Sequence, residues 1–217
     1  RKTAVPLFLC GLFWGIGCAC KWTVIYAGAG LAVMWLLGLV FRYREWKRDP
    51  QGFDFISFVL STTSLSIIFF VLLPSVIYTA SYIPYATAQG NLTLDNLLNV
   101  MWSNQEFMLS YHQGVHSTHP YQSSWYQWIF DARPILYYRD LDLANTEGVK
   151  SLFASFNNPL VSWAGLLASF DVLIQTIRRK CGRGLFILIA ILSQFLPWLP
   201  SSRTLFAYHY FPTILFL

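Results

Sequence analysis

Five stretches of this chain, roughly 4–20, 24–41, 56–74, 159–176 and 184–200, run almost without charge, and a sixth begins near 205. A helix needs roughly 17 to 25 predominantly apolar residues to cross a hydrocarbon core. The composition agrees with that reading. Only 12% of the residues are charged and 55% are hydrophobic, with a mean hydropathy of +0.46, whereas a soluble domain carries about a quarter of its residues as charges. Trp and Tyr gather at the ends of the runs, where amphipathic rings favour the membrane–water boundary. The chain is therefore predicted to be an all-α, multi-pass integral membrane protein.

The charge distribution sets an orientation. Arg42, Arg44, Lys47 and Arg48 lie in one connector between apolar runs, and Arg178, Arg179, Lys180 and Arg183 in another. Basic connectors stay on the cytoplasmic side, so alternation places 75–158 outside as one large loop of about 84 residues. Three spans, 1–74, then precede an extracytoplasmic segment, 75–158, and the remaining spans, 159–217, follow it. The outside segments hold only Lys21, Arg133, Arg139, Lys150 and Arg203 of the 15 basic residues. The net charge of +5 is thus accounted for by topology, without a nucleic-acid partner. The third span is predicted to end at Pro74.

Cys10, Cys18 and Cys20 fall in the first apolar run and Cys181 in a basic connector, so no structural disulfide is expected. The chain begins with Arg1 and stops within the apolar run 205–217, and both ends read as cut. The first run is not a signal peptide, because Lys21-Trp22 and a second spanning run follow it without a small-residue cleavage site.

The exterior loop has internal order. From Thr93, a predicted N-cap, Leu94, Leu97, Leu98, Met101, Trp102 and Met108 recur at helical spacing, with Asp95, Asn99, Ser103 and Gln105 on much of the opposite side. This pattern fits a helix lying on the membrane surface or, equally, a core helix of a small exterior domain. Asn91-Leu92-Thr93 matches an N-glycosylation acceptor triplet, which is too frequent by chance to carry an argument.

Residues 111–128 form the densest polar and aromatic stretch, followed by Asp131, Arg133-Pro134 and Tyr137-Tyr138. Aromatic faces, hydroxyls and a guanidinium suit a sugar phosphate, since rings stack on the sugar, hydroxyls read its alcohols and Arg pairs with phosphate. An aromatic belt that seats the loop at the interface explains the same composition. His112, His116 and His119 stand at i, i+4 and i+7, but Gly114 and Pro120 interrupt a helix there and no fourth ligand is evident, so a divalent metal is not indicated. Arg203 follows a span end and precedes Phe206, Tyr208, His209 and Tyr210. It reads either as a functional residue at membrane depth or as a topological anchor that snorkels to the surface.

The order of these motifs resembles the C-terminal region of the protein O-mannosyltransferases. The resemblance rests on Lys21-Trp22 after a glycine-rich span, the run from His119-Pro120-Tyr121 through Ser124-Trp125 to Trp128, Arg133-Pro134 with Tyr137-Tyr138, and Arg203, Phe206, Tyr208, His209, Tyr210 and Pro212 in the last segment. It implies a GT-C-type helical bundle and transfer of mannose from polyprenyl-phosphate mannose to Ser or Thr hydroxyls of exported proteins. It also implies that Arg133, His119, Tyr121, Ser124, Trp125, Trp128, Arg203, Tyr208 and His209 bind donor or acceptor, with Arg133 leading for the phosphate. The exterior loop has no room for the MIR domain of eukaryotic members, which points to a prokaryotic cell membrane. The family's acidic catalytic motif lies in an N-terminal half that this sequence does not contain, so its catalytic residues are not assigned and the chain alone is expected to be inactive. A GT-C enzyme acting on a lipid or glycan acceptor, a transporter segment and a noncatalytic scaffold are the alternatives. No cofactor is called for beyond the lipid-linked donor.

Overall fold

The computed structural model describes residues 4–90, 92–114, 118–139 and 152–217. They form two compact units, Arg1–Tyr111 and His112–Leu217. Asn91, His116 and Lys150 lie outside the described residues.

The first unit contains α1 (Ala4–Cys20), α2 (Ile25–Arg48), α3 (Phe55–Ile67), α4 (Leu73–Ser81), α5 (Ile83–Gln89) and most of α6 (Leu94–Gly114). Its glycines explain how α1 packs. A Cβ on Gly11 would clash with the carbonyl oxygen of Phe69, and one on Gly15 would sit 2.9 Å from the Cα of Pro74. Small residues let two backbones touch, which is how helices gain van der Waals contact where lipid removes the hydrophobic drive for association.

The helix does not stop at Pro74. A wide π segment, Ile68–Leu72, joins α3 to α4, and the continuous stretch Phe55–Gln89 is 35 residues long. Proline lacks the N–H its turn needs and crowds the carbonyl four residues back. The widened turn absorbs that conflict, and the Ser75 hydroxyl donates to the Val71 carbonyl at 2.7 Å. At the start of α3, the Asp54 carboxylate accepts from the backbone N–H groups of Ile56 and Ser57.

Three stretches are long and apolar enough to cross a membrane: Trp22–Arg48, Phe55–Gln89 and Pro159–Arg179. Of the most apolar window in each, only 6%, 0% and 11% is buried against protein. Side chains of that kind left uncovered require a lipid surround. Ala4–Cys20 and Gly182–Trp198 are shorter apolar helices.

Helix α6 begins as the sequence predicts, with Asn96 N–H donating to the Thr93 hydroxyl at 3.2 Å. Its inner side differs in one respect. Leu97 and Val100 are buried, but Gln105 turns inward too: its carbonyl oxygen accepts from the Tyr78 hydroxyl and its amide donates to the Tyr82 hydroxyl, each at 2.9 Å. Trp22 donates to the same Tyr78 oxygen at 2.9 Å. A half-buried amide satisfied on both ends fixes α6 against α4 and the turn after α1. Leu94 and Trp102 stay exposed.

The second unit holds α7 (Trp125–Ile129), an antiparallel pair β1 (Ile135–Arg139) and β2 (Leu152–Ser155), α8 (Pro159–Arg179), α9 (Gly182–Phe195) and α10 (Phe211–Ile214). The pair shows a register irregularity between Leu136 and Tyr138. It is a small addition to an otherwise helical membrane protein. Asn158 caps α8 by accepting from Leu160 N–H at 3.0 Å, and Pro159 opens the helix, where its missing donor costs nothing. Helices α8 and α9 pack as a hairpin in which Gly184 meets the Thr176 hydroxyl. Around Trp128, Trp198, Leu205, Ala207 and Tyr210 the unit has its buried core.

Candidate functional site

Short local motifs aim the chain around one cavity. His119-Pro120-Tyr121-Gln122 is a turn, closed by Gln122 N–H donating to the His119 carbonyl at 3.0 Å, with Pro at the position its fixed φ favours. Helix α7 then starts at Ser124, whose N–H donates to the Gln127 side chain at 2.8 Å. The helix ends in a Schellman arrangement: Asp131 N–H bonds to the Trp128 carbonyl and Ala132 N–H to the Gln127 carbonyl. Asp131 takes the left-handed conformation this cap requires, with φ +53°. The reversal delivers Arg133 beside the first turn, where its Nη2 donates to the Pro120 carbonyl at 2.6 Å.

A second strand of chain closes the other side. Ser123 N–H donates to the Leu205 carbonyl at 2.9 Å, which ties the segment before α7 to the segment after α9. Between them lies an open cavity of about 550 Å³ that both Arg133 and Arg203 line. The rest of its wall is rich in hydroxyls, from Thr118, Ser123, Ser124, Ser201, Ser202 and Thr204. Trp125 contributes an indole, held edge-on against Phe195 at 5.9 Å. Two guanidiniums, several hydroxyls and the aromatic side chains Trp125 and Tyr126 around a single opening can bind a phosphorylated sugar.

Arg203 is fixed on three sides. Its Nη1 lies 2.7 Å from His112 Nδ1, its Nη2 lies 3.1 Å from His209 Nε2, and the guanidinium carbon sits 5.8 Å from the centre of the Trp198 ring. Burial, together with the Arg203 charge, holds the His112 imidazole below its ordinary pKa. Asp131 shows the opposite shift. Partial burial pushes its carboxyl up, against a hydrogen bond that it accepts from Asn157 N–H at 3.1 Å.

Of the nine residues singled out from sequence, Arg133, Ser124, Trp125 and Arg203 line the cavity. His119 and Tyr121 belong to the turn whose Pro120 carbonyl receives Arg133, and His119 Nδ1 accepts from Tyr121 N–H at 3.1 Å. Trp128 and His209 do not face it. Trp128 is 1% exposed and His209 4%; the two rings stack 6.0 Å apart, and Trp128 donates to the Ser123 hydroxyl at 2.8 Å. They build the wall from behind and cannot stack on a sugar as placed. Tyr208 stacks on His209 at 4.3 Å, on the side of the Arg203 segment.

Sequence reasoning missed the hydroxyl pair Ser201 and Ser202, which was read as part of a connecting turn. Its position next to Arg203 was the available signal. The spacing of His112 with His116 and His119 did not indicate a metal. In the structure His112 closes α6 and contacts Arg203, while His119 sits in the separate turn.

Residues 97–217 match a family described as the C-terminal four TMM region of protein-O-mannosyltransferase. A polyprenol-phosphate-mannose–protein mannosyltransferase of Corynebacterium glutamicum is 24% identical over 223 aligned residues, covering 89% of this chain and 41% of that protein. The chain therefore spans less than half the length of this relative. No solved structure matches.

Proposed function

Because the chain belongs to the protein O-mannosyltransferases through their C-terminal membrane region, we propose that it forms the phosphate-binding part of a site that moves mannose from polyprenyl-phosphate mannose to Ser or Thr hydroxyls of exported proteins. The observation that carries this reading is the convergence of Arg133 and Arg203 on one hydroxyl-rich cavity. In the reaction the acceptor oxygen bonds to the anomeric carbon and gives its proton to a general base. The bond from that carbon to the lipid phosphate oxygen breaks, and the electron pair leaves on the phosphate. Guanidiniums aimed at the departing phosphate stabilise the charge that develops there. In this reading Ser124, Ser201, Ser202 and Trp125, which line the cavity, contact the sugar.

The general base is a separate matter. Asp131 is engaged by Asn157 and carries no mark of that role. The family resemblance puts the acidic motif in the N-terminal half, so this chain alone is expected not to transfer mannose. The membrane is that of a prokaryotic cell, with the cavity on the extracytoplasmic side, as the basic connectors 42–48 and 178–183 require if they face the cytoplasm.

The test uses membranes that contain the full-length parent and measures labelled mannose passing from polyprenyl-phosphate mannose to a Ser/Thr-rich peptide. Loss of transfer in Arg133→Ala and Arg203→Ala, with normal membrane insertion, supports the reading. Transfer to a lipid or glycan acceptor, with none to peptide, would replace it with a different GT-C activity. Unchanged transfer in both variants would remove the arginines from the site.

A further inference from the structure

Among the described residues Arg203 is held without a carboxylate. Its side-chain partners are two imidazoles and an indole face. A guanidinium has donors only, so each contacted ring nitrogen must offer a lone pair. This fixes both tautomers. His112 accepts at Nδ1 and carries its proton on Nε2. His209 accepts at Nε2, so its proton sits on Nδ1, which then donates to the Phe206 carbonyl at 2.9 Å instead of accepting from the Phe206 N–H at 3.2 Å.

The choice of partner has an electrostatic consequence. A carboxylate would hold the guanidinium equally well but would cancel its charge. Neutral imidazoles direct it and leave the full positive charge facing the cavity, where Arg203 is part of the wall. Trp198 packs beneath at 5.8 Å, and a ring face favours the cation.

We infer that His112 and His209 are positioning residues for the proposed reaction, holding Arg203 toward the lipid phosphate through neutral imidazoles, and that protonation of His112 releases this hold. The inference rests on reading the cavity as a phosphate site. His112 is the exposed member of the pair and His209 the buried one. Among the described residues, charged and titratable groups at this cluster include Arg203, Tyr208 on the His209 ring and Tyr137 of β1, whose charge acts on Tyr208. His112 has its pKa held down by burial and then by Arg203. The neutral form therefore prevails above about pH 6.5, the ordinary imidazole value, and the contact is lost as pH falls below it through the lower folded value.

The experiment compares the full-length parent with His112→Ala, His112→Gln and Arg203→Ala in membranes. It reads the donor KM and kcat from pH 5 to 8, together with retention of labelled polyprenyl phosphate that carries no sugar. A glutamine oxygen accepts from a guanidinium and does not titrate in this range. His112→Ala is expected to raise the donor KM roughly tenfold, the worth of one hydrogen bond to a charged group, with kcat less affected. His112→Gln should restore most of that loss and remove the rise in KM on the acid side. His112→Ala should add little to Arg203→Ala, because the histidine acts only through the arginine.

An acid limb that is unchanged in His112→Gln, or effects of the histidine and arginine that multiply, would overturn the inference. Limited proteolysis of each variant separates these outcomes from misfolding. If Arg203→Ala and Arg133→Ala retain polyprenyl phosphate as well as the parent does, the phosphate reading itself fails. If both lose it while the His112 variants behave as the parent, only the positioning role fails.

Discussion

Replacing Trp128 separates two accounts of the aromatic run, because its indole is buried and hydrogen-bonded yet sits in the run that resembles a binding motif. The ring is 1% exposed and packs against Trp198, His209 and Tyr210 at centroid distances of 6.0–6.4 Å. Trp128→Ala removes that packing and leaves a cavity, at a cost of about 3–5 kcal/mol. Trp128→Phe keeps most of the ring but leaves the buried Ser123 hydroxyl without the indole donor, at a cost of about 1–3 kcal/mol. Since each 1.4 kcal/mol is tenfold in an equilibrium, the opened population of the second unit should rise roughly 10²–10³-fold or more in the alanine variant. In the phenylalanine variant the rise should be about tenfold or somewhat above. Limited proteolysis of the full-length parent in membranes reads this population when reclosing is fast. Mannose transfer per folded molecule should remain close to the parent's in Trp128→Phe. Proteolysis unchanged in both variants, with transfer lost, would refute the reasoning and return Trp128 to the substrate surface.

Arg133→Lys should lower transfer on the order of a hundredfold, as loss of one oriented donor does, because an ammonium cannot donate to the Pro120 carbonyl and to a phosphate in the same fork geometry; steady-state transfer checks it. Gly11→Val should reduce the yield of folded protein through its clash with the Phe69 carbonyl, at a cost of about 1–3 kcal/mol or more, whereas Gly38→Ala, with nothing within 4 Å, should be silent in detergent stability. The Asp54 carboxylate is held below its ordinary pKa, chiefly by a hydrogen bond from the Ser57 hydroxyl. Its contribution to the first unit should be complete above about pH 3.9 and vanish as pH falls through the lower folded value, and Asp54→Ala should abolish that acid-dependent part in a stability titration. Cys181 is exposed, and backbone N–H groups of Gly184 and Arg183 lower its thiol pKa. In a chain with the exposed Cys20 replaced by Ser, it should therefore react readily with a membrane-impermeant maleimide once the cytoplasmic face is opened and resist it in sealed cells; labelling of Cys181 in sealed cells would invert the proposed orientation.

Much of the molecule was legible before any coordinates. Apolar run length alone marks α2, α3 and α8 as membrane helices, because a hydrocarbon core imposes one length on anything that crosses it. Thr93 is a local signal, a helix cap that acts within a few residues of itself. The ordered set of short motifs also identified the family. Other features depended on residues far apart in the chain. Pro74 reads as a stop, but α1 packs on the widened turn before it and the helix continues. Gln105 reads as solvent-facing, yet two tyrosines from α4 and its end satisfy its amide inside the unit. An aromatic residue next to a serine pair can equally be wall or core, and only the return of the chain after α9 decides that Trp128 is core and Trp125 is wall. The same return brings Arg203 beside His112, which lies 91 residues away. Periodicity and caps are properties of neighbours in sequence and fix the helices; the cavity is a property of neighbours in space, set by which buried polar groups find partners when the helices pack.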